Sequence, residues 1–159
     1  DTIVCYSFSK SLSLPGERLG YVLVPKQVTD ADAVYAATAG AGRSQGYVNA
    51  PSLFQRVAAE CCDLTADISV YERNCALLTD ALREMGYHVV QPGGAFYLFP
   101  RSLEPDDMAF SERAKKFDLL LVPGSGFGAP GHFRIAYCVQ TEMIERALPR
   151  FKALADSYQ

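Results

Sequence analysis

One lysine among four serines, followed after a Pro-Gly pair by an arginine, sets the chemistry of residues 7–21, SFSKSLSLPGERLGY. Read in isolation, Lys10 is a solvated surface residue, the commoner fate of a lysine. Its setting points elsewhere, because it follows a strand-like run and is flanked by Ser7, Ser9, Ser11 and Ser13. Partial desolvation at a strand end favours the neutral amine, a nucleophile that condenses with an aldehyde to a Schiff base. Arg18 supplies a planar fork of donors suited to phosphate oxygens, and Ser7 and Ser9 add uncharged hydroxyl donors. Gly16 and Gly20 are expected to permit close backbone approach and a sharp turn. An amine for an aldehyde, with arginine and serine for a phosphate, matches pyridoxal 5′-phosphate group by group. Taken alone, the same spacing also arises by chance, since Ser, Gly and Arg are common residues.

The elements that must position these groups follow from local pattern. Residues 3–8 and 19–24 are short apolar runs that read as strands buried on both faces, as in an α/β sheet. Residues 29–43 read as a helix with Thr29 or Asp30 as N-cap, and its Ala/Gly-rich end passes into a polar hinge, SQGYVN. PSLFQRVAAECC opens a second helix with Pro51 at its first position. Ile68, Tyr71, Cys75, Leu78, Leu82 and Met85 recur at three- and four-residue steps, which predicts an amphipathic helix stopped by Gly86. YHVV and AFYLFP then read as two strands joined through QPGG. A charged helix (DDMAFSERAKKF), a strand (LLLVP), the loop GSGFGAPG and a strand (FRIAYCV) come next. A last helix buries Ile144, Ala147, Leu148, Phe151, Leu154 and Tyr158, with a kink or break expected at Pro149. This order gives a short α/β piece, two helices, and an α+β unit with a small sheet.

Composition narrows the function classes. The chain has 159 residues, 49% hydrophobic and 21% charged, with a net charge of -3. That is an ordinary globular balance, with no electrostatic reason to expect nucleic acid or an anionic membrane. No apolar run approaches the ~20 residues that span a bilayer. The five cysteines show neither C-x-x-C nor zinc-like spacing, which reads as buried or idle thiols in a reducing cytoplasm. His88 and His132 are too isolated to form a triad or metal site. The start, DTIVCYSF, opens directly on a strand and reads as a fragment of a longer chain.

Ser7-Phe8-Ser9-Lys10, then Ser13-Leu14, Gly16 and Arg18-Leu19-Gly20, closely resembles the lysine signature of the class I and II aminotransferases, the fold-type I pyridoxal-phosphate-dependent enzymes. The resemblance continues through GGAFYLFP and VPGSGFGAPGHFRIAYC. It implies the C-terminal part of such an enzyme. Residues 1–46 would be the end of the cofactor-binding large domain, and residues 47–159 the small α+β domain. By the same resemblance Lys10 is the covalent cofactor lysine and moves the proton between the substrate's Cα and the cofactor. Ser7, Ser9 and Arg18 match phosphate contacts, Ser9 more weakly. Arg134 matches the arginine that binds the substrate α-carboxylate, against the alternative of a strand-edge cation in an ordinary salt bridge. Phe96 and Tyr97 lie where members line the substrate pocket with an aromatic ring, and core packing suits either equally. The GSGFGAPG loop lacks the helix start of a dinucleotide fingerprint and reads as a flexible turn forming one pocket wall.

The function so implied is amino transfer between an amino acid and a 2-oxo acid, of the aspartate- or aromatic-aminotransferase-like kind. The intact parent is expected to be a cytoplasmic homodimer. The isolated fragment is expected to be inactive, because the groups that in this family hold the ring nitrogen and ring hydroxyl lie upstream of the lysine. Two alternatives share the motif: a pyridoxal-phosphate-dependent C–S β-lyase, and the cofactor-sensing domain of a transcription regulator.

Overall fold

The computed structural model describes residues 1–159, which divide into two compact units, Asp1–Asp67 and Ile68–Gln159.

In the first unit, β1 (Val4–Ser7) and β2 (Gly20–Leu23) form an antiparallel pair in which Val4 faces Leu23 and Ser7 faces Gly20. Between them lies a single helical turn, α1 (Phe8–Ser11). Gly20 is required by this pairing, because a Cβ there would lie 2.4 Å from the Tyr6 carbonyl oxygen. Gly16 is not, since a Cβ would meet open space. The expectation of strands buried on both faces is not met. All eight strand residues are exposed, Leu23 at 51%. The two strands form a sheet of their own, and a two-stranded ribbon has no further strand or layer to cover its faces. Helix α2 (Ala31–Ser44) starts after Asp30, which occupies the N-cap with a left-handed φ of 54° and makes no capping bond. Thr29 instead binds the Asp1 carboxylate through its backbone N–H (3.0 Å) and its hydroxyl (2.9 Å). Helix α3 (Ser52–Cys61) begins one residue later than read, with Pro51 as its N-cap.

The second unit holds the main apolar core. Its sheet has three short antiparallel strands in the order β3 (Tyr97–Leu98), β5 (Phe133–Ala136), β4 (Val122–Pro123). Helices α4 (Ser69–Glu84), α5 (Asp107–Lys115) and α6 (Thr141–Asp156) contribute Leu78, Leu82, Phe110, Phe151 and Leu154 to one buried cluster with Leu98 and Phe133. Of the α4 stripe, Cys75, Leu78 and Leu82 are buried, Tyr71 and Met85 are half-buried, and Ile68 is exposed just before the first turn. The helix ends in a Schellman motif: Gly86 at φ 91° donates to the Arg83 carbonyl and Tyr87 to that of Leu82, each at 3.0 Å.

The structure bears on two sequence expectations here. YHVV does not form a hairpin with AFYLFP, because β3 pairs with β5. Residues 87–90 alternate in burial all the same, with Tyr87 and Val89 buried and His88 and Val90 exposed. One bond, Arg101 N–H to the His88 carbonyl at 3.0 Å, joins them to the segment after β3, where Pro100 has no N–H to extend a ladder. Helix α6 runs unbroken through Pro149. Ile144 before the proline and Phe151, Leu154 and Ala155 after it are buried in the same core, which holds both halves of the helix in register.

Candidate functional site

Two groups of side chains matter, one in each unit. The first is built on the β1–β2 end. Ser7 is the N-cap of α1, where its Oγ accepts from the Ser9 backbone N–H at 3.2 Å and donates to Ser9 Oγ at 3.0 Å. Lys10 follows on the same turn, and its carbonyl accepts from the Ser13 N–H at 3.2 Å. Ser13 and Arg18 both take left-handed backbone angles, φ 53° and 54°, which fold the connection back on itself. Phe8 N–H then donates to the carbonyl of buried Leu19 at 3.1 Å. With Ser7 opposite Gly20, the register brings Ser7, Ser9, Lys10 and Arg18 to one end of the ribbon. Tyr6, Phe8 and Tyr21 pack their rings at 5.2–5.9 Å beside them.

Two details differ from the reading of the sequence. Lys10 is exposed, so the desolvation argued for it is not supplied by its own turn. Arg18 donates one Nη1 hydrogen to the Pro15 carbonyl at 2.6 Å. That bond anchors the guanidinium and leaves most of its five donors for other acceptors. Hydroxyls and a guanidinium at one end of a ribbon, next to a primary amine, suit a phosphorylated aldehyde such as pyridoxal 5′-phosphate.

The second group surrounds Arg134 on β5, which pairs with Val122 of β4. The Arg134 guanidinium carbon lies 4.5 Å from the Tyr97 ring centroid and 4.4 Å from that of Phe127. The chain's salt bridges use Arg113, Lys115, Arg150 and Lys152, not Arg134. A half-buried guanidinium held against two rings without an acidic partner suits an incoming carboxylate, which it can bind through two parallel N–H···O bonds. Tyr97 and Phe96 separate in role: Tyr97 stacks with Arg134, whereas Phe96 packs against the core.

Phe127 reaches Arg134 from the loop read as a flexible turn, whose path is marked by specific hydrogen bonds. Residues Gly124–Phe127 form a 3-10 turn. Gly124 donates to the His132 carbonyl at 2.8 Å, and a Cβ on it would sit 2.3 Å from the Ala129 carbonyl oxygen. Asp107, buried at the start of α5, accepts from Ser125 N–H at 2.7 Å, Ser125 Oγ at 2.6 Å and Gly131 N–H at 3.3 Å. The Ser125 hydroxyl, then its backbone N–H, hold the Asp107 carboxyl below the usual aspartate range. Nothing in the sequence reading singled out Asp107. The one available signal was the doubled aspartate, since a helix needs only one cap.

Asn74 was also missed. Fully buried on α4, it donates to the carbonyls of Tyr137 (3.1 Å) and Val139 (2.8 Å) and accepts from the Thr141 hydroxyl (2.8 Å). It thereby ties α4 to the exit of the arginine-bearing strand and to the start of α6. Tyr137 donates its hydroxyl to the Ala95 carbonyl at 2.9 Å, and burial, with Cys75 beside it, pushes its phenol up to about 12. No cluster of histidine, cysteine and acidic residues suits a metal ion.

Comparison with known proteins agrees with the motif. The profile of the family described as Aminotransferase class I and II matches residues 1–151. The chain is 31% identical to an aspartate aminotransferase of Geobacillus stearothermophilus, over 94% of its own length and 40% of that enzyme's. It is 33% identical to aromatic-amino-acid aminotransferase 2 of Thermococcus litoralis, with 95% and 40% covered. Among solved structures, an amino transferase from Eubacterium rectale superposes with a TM-score of 0.90 at 53% identity, covering 99% of this chain and 40% of the other. The aspartate aminotransferase of Thermotoga maritima gives 0.82 at 28% identity, with 97% and 40% covered. The chain thus spans about 40% of the length of these relatives.

Proposed function

Because this chain belongs to the class I and II aminotransferase family, we propose that it is the C-terminal part of a pyridoxal-phosphate-dependent aminotransferase. Its reaction would move an amino group between an amino acid and a 2-oxo acid, of the aspartate or aromatic kind. We assign residues 1–46 to the end of the cofactor-binding domain and 47–159 to the small domain, with the left-handed Gly46 (φ 86°) at the change, so that α3 counts with the small domain although it lies in the first compact unit. The observation that carries the proposal is the convergence of Ser7, Ser9, Lys10 and Arg18 at one end of the β1–β2 ribbon.

In this reading Ser7, Ser9 and Arg18 would hold the cofactor phosphate, and Lys10 would be the amine that holds its aldehyde carbon. When bound, the cofactor supplies an electron sink for the charge left at the substrate's Cα. Once the substrate's amine has replaced it, the freed Lys10 Nζ would take the Cα proton and later return one, as general base and then general acid. Arg134 binds the substrate carboxylate through its N–H edge and fixes the orientation in which that proton is presented. Tyr97 and Phe127 keep the guanidinium in place by stacking on it.

The intact protein is proposed to be a homodimer. Exposed Tyr35, Tyr47 and Leu53 support this by giving the first unit uncovered apolar surface. It is proposed to be cytoplasmic, and the five free cysteines suit a reducing compartment.

The test is amine transfer from an amino acid to 2-oxoglutarate by the full-length protein. Formation of glutamate supports the proposal. Release of ammonia and pyruvate from a cysteine conjugate, without glutamate, would replace it with a β-lyase. Binding of the cofactor with neither reaction would point to a sensing domain. The 159 residues alone are expected to give no measurable transfer.

A further inference from the structure

We propose that Asp107 is a positioning residue for the Arg134 guanidinium, acting through the loop that carries Phe127. The proposal rests on the carboxylate-binding role given to Arg134 above and extends it to a residue outside the motif.

Asp107 is not needed to start α5. The neighbouring Asp106 caps that helix, accepting from the Met108 and Ala109 N–H groups at 3.0 Å each. The Asp107 carboxylate turns instead to the loop and uses both oxygens there: Oδ2 takes the Ser125 N–H, and Oδ1 takes the Ser125 hydroxyl and the Gly131 N–H. These bonds grip the loop near its beginning and its end, with Phe127 between them. A buried carboxylate is an expensive way to close a turn unless its acceptor sites are filled. Here they are filled by loop donors, and the lowered carboxyl is consistent with an ionised group holding them.

The gripped segment has one large side chain, Phe127, and its ring bears on two neighbours. It meets Phe99 edge-on at 6.1 Å and lies 4.4 Å from the Arg134 guanidinium carbon. Gly128 and Gly131 both adopt left-handed φ, 74° and 73°, so the loop has few side chains of its own to fix its path. Its shape is set by backbone hydrogen bonds and by Asp107. Releasing Asp107 would free the Phe127 ring and leave the guanidinium against Tyr97 alone. Orientation of a bidentate carboxylate contact would suffer, while the amine at Lys10 would be unaffected.

Two readouts test this. In the 159-residue chain, the Arg134 Nε–Hε resonance feels the ring currents of Tyr97 and Phe127. Asp107→Ala should move it toward the position of a free arginine, with Asp107→Asn intermediate because an amide keeps one acceptor. In the full-length enzyme, Asp107→Ala should raise KM for the amino-acid donor about tenfold and lower kcat by a smaller factor, because Arg134 both binds the carboxylate and orients the Cα proton. If Asp107→Ala does not fold, Ser125→Ala removes only the hydroxyl bond and should move both readouts the same way by less. A folded variant that leaves the Arg134 resonance and KM unchanged overturns the proposal. Should the full-length wild type show no amino transfer, the proposed function fails, and the resonance still decides the role of Asp107.

Discussion

Replacing Asn74 by alanine gives a stability loss that can be worked from the structure. Asn74 is fully buried and is the side-chain donor to the carbonyls of Tyr137 and Val139. Alanine leaves both acceptors without that donor, and a buried unsatisfied polar group costs about 1–3 kcal/mol. Against a total of roughly 2–6 kcal/mol, alanine recovers about 0.6 kcal/mol of helix propensity within α4. The net expectation is a loss of about 3 kcal/mol. For a unit the size of Ile68–Gln159, 1 kcal/mol shifts the midpoint by roughly 4–8 °C, so the melting temperature should fall by about 12 °C or more. Circular dichroism of the 159-residue chain measures it. Asn74→Leu should not recover the loss, because a leucine of similar volume offers the carbonyls nothing. A melting point within about 2 °C of wild type for Asn74→Ala would show that water reaches these carbonyls and refute the reasoning.

Two further outcomes follow from the second unit. Arg134→Lys keeps the charge but loses the planar fork, removing one of two charge-assisted bonds worth about 1.5–3 kcal/mol. KM for the amino-acid donor in the full-length protein should then rise roughly 10- to 100-fold, and an unchanged KM would remove Arg134 from carboxylate binding. Asp107 gives a pH signature. Its folded carboxyl lies below its unfolded value because of the Ser125 bonds. Its contribution to stability is therefore complete above the ordinary carboxylate value of about 4 and is lost as pH falls through the lower folded value. Thermal melts from pH 7 downward should fall less steeply in Asp107→Asn than in wild type, and parallel curves would contradict the assignment.

Features whose cause lies close by in the sequence were readable from it. The Lys10 stretch places its groups within one short turn, so chain connectivity alone carries Ser7, Ser9 and Lys10 together. Helix α4 was readable because its periodicity and its glycine stop are local. The features that were not readable depend on distant partners. Asp107 meets donors 18 and 24 residues away, and Asn74 bonds to residues 63 to 67 positions further on. YHVV has the alternation of a strand, but whether it joins a ladder depends on which neighbour claims β3, and that neighbour is β5. Pro149 is tolerated because of core contacts that local sequence does not encode. The strand exposure in the first unit has the same origin, since burial depends on what covers a sheet rather than on the apolar content of its strands.

The claim on which the functional account depends is that Lys10 is the amine joined to the cofactor. Full-length protein loaded with pyridoxal 5′-phosphate, reduced with borohydride and digested, should yield the pyridoxyl group on the peptide that contains Lys10. Replacing Lys10 by arginine should abolish the adduct. A pyridoxyl group found on Lys26, Lys115, Lys116 or Lys152 instead, or no adduct in wild type under saturating cofactor, would contradict the account.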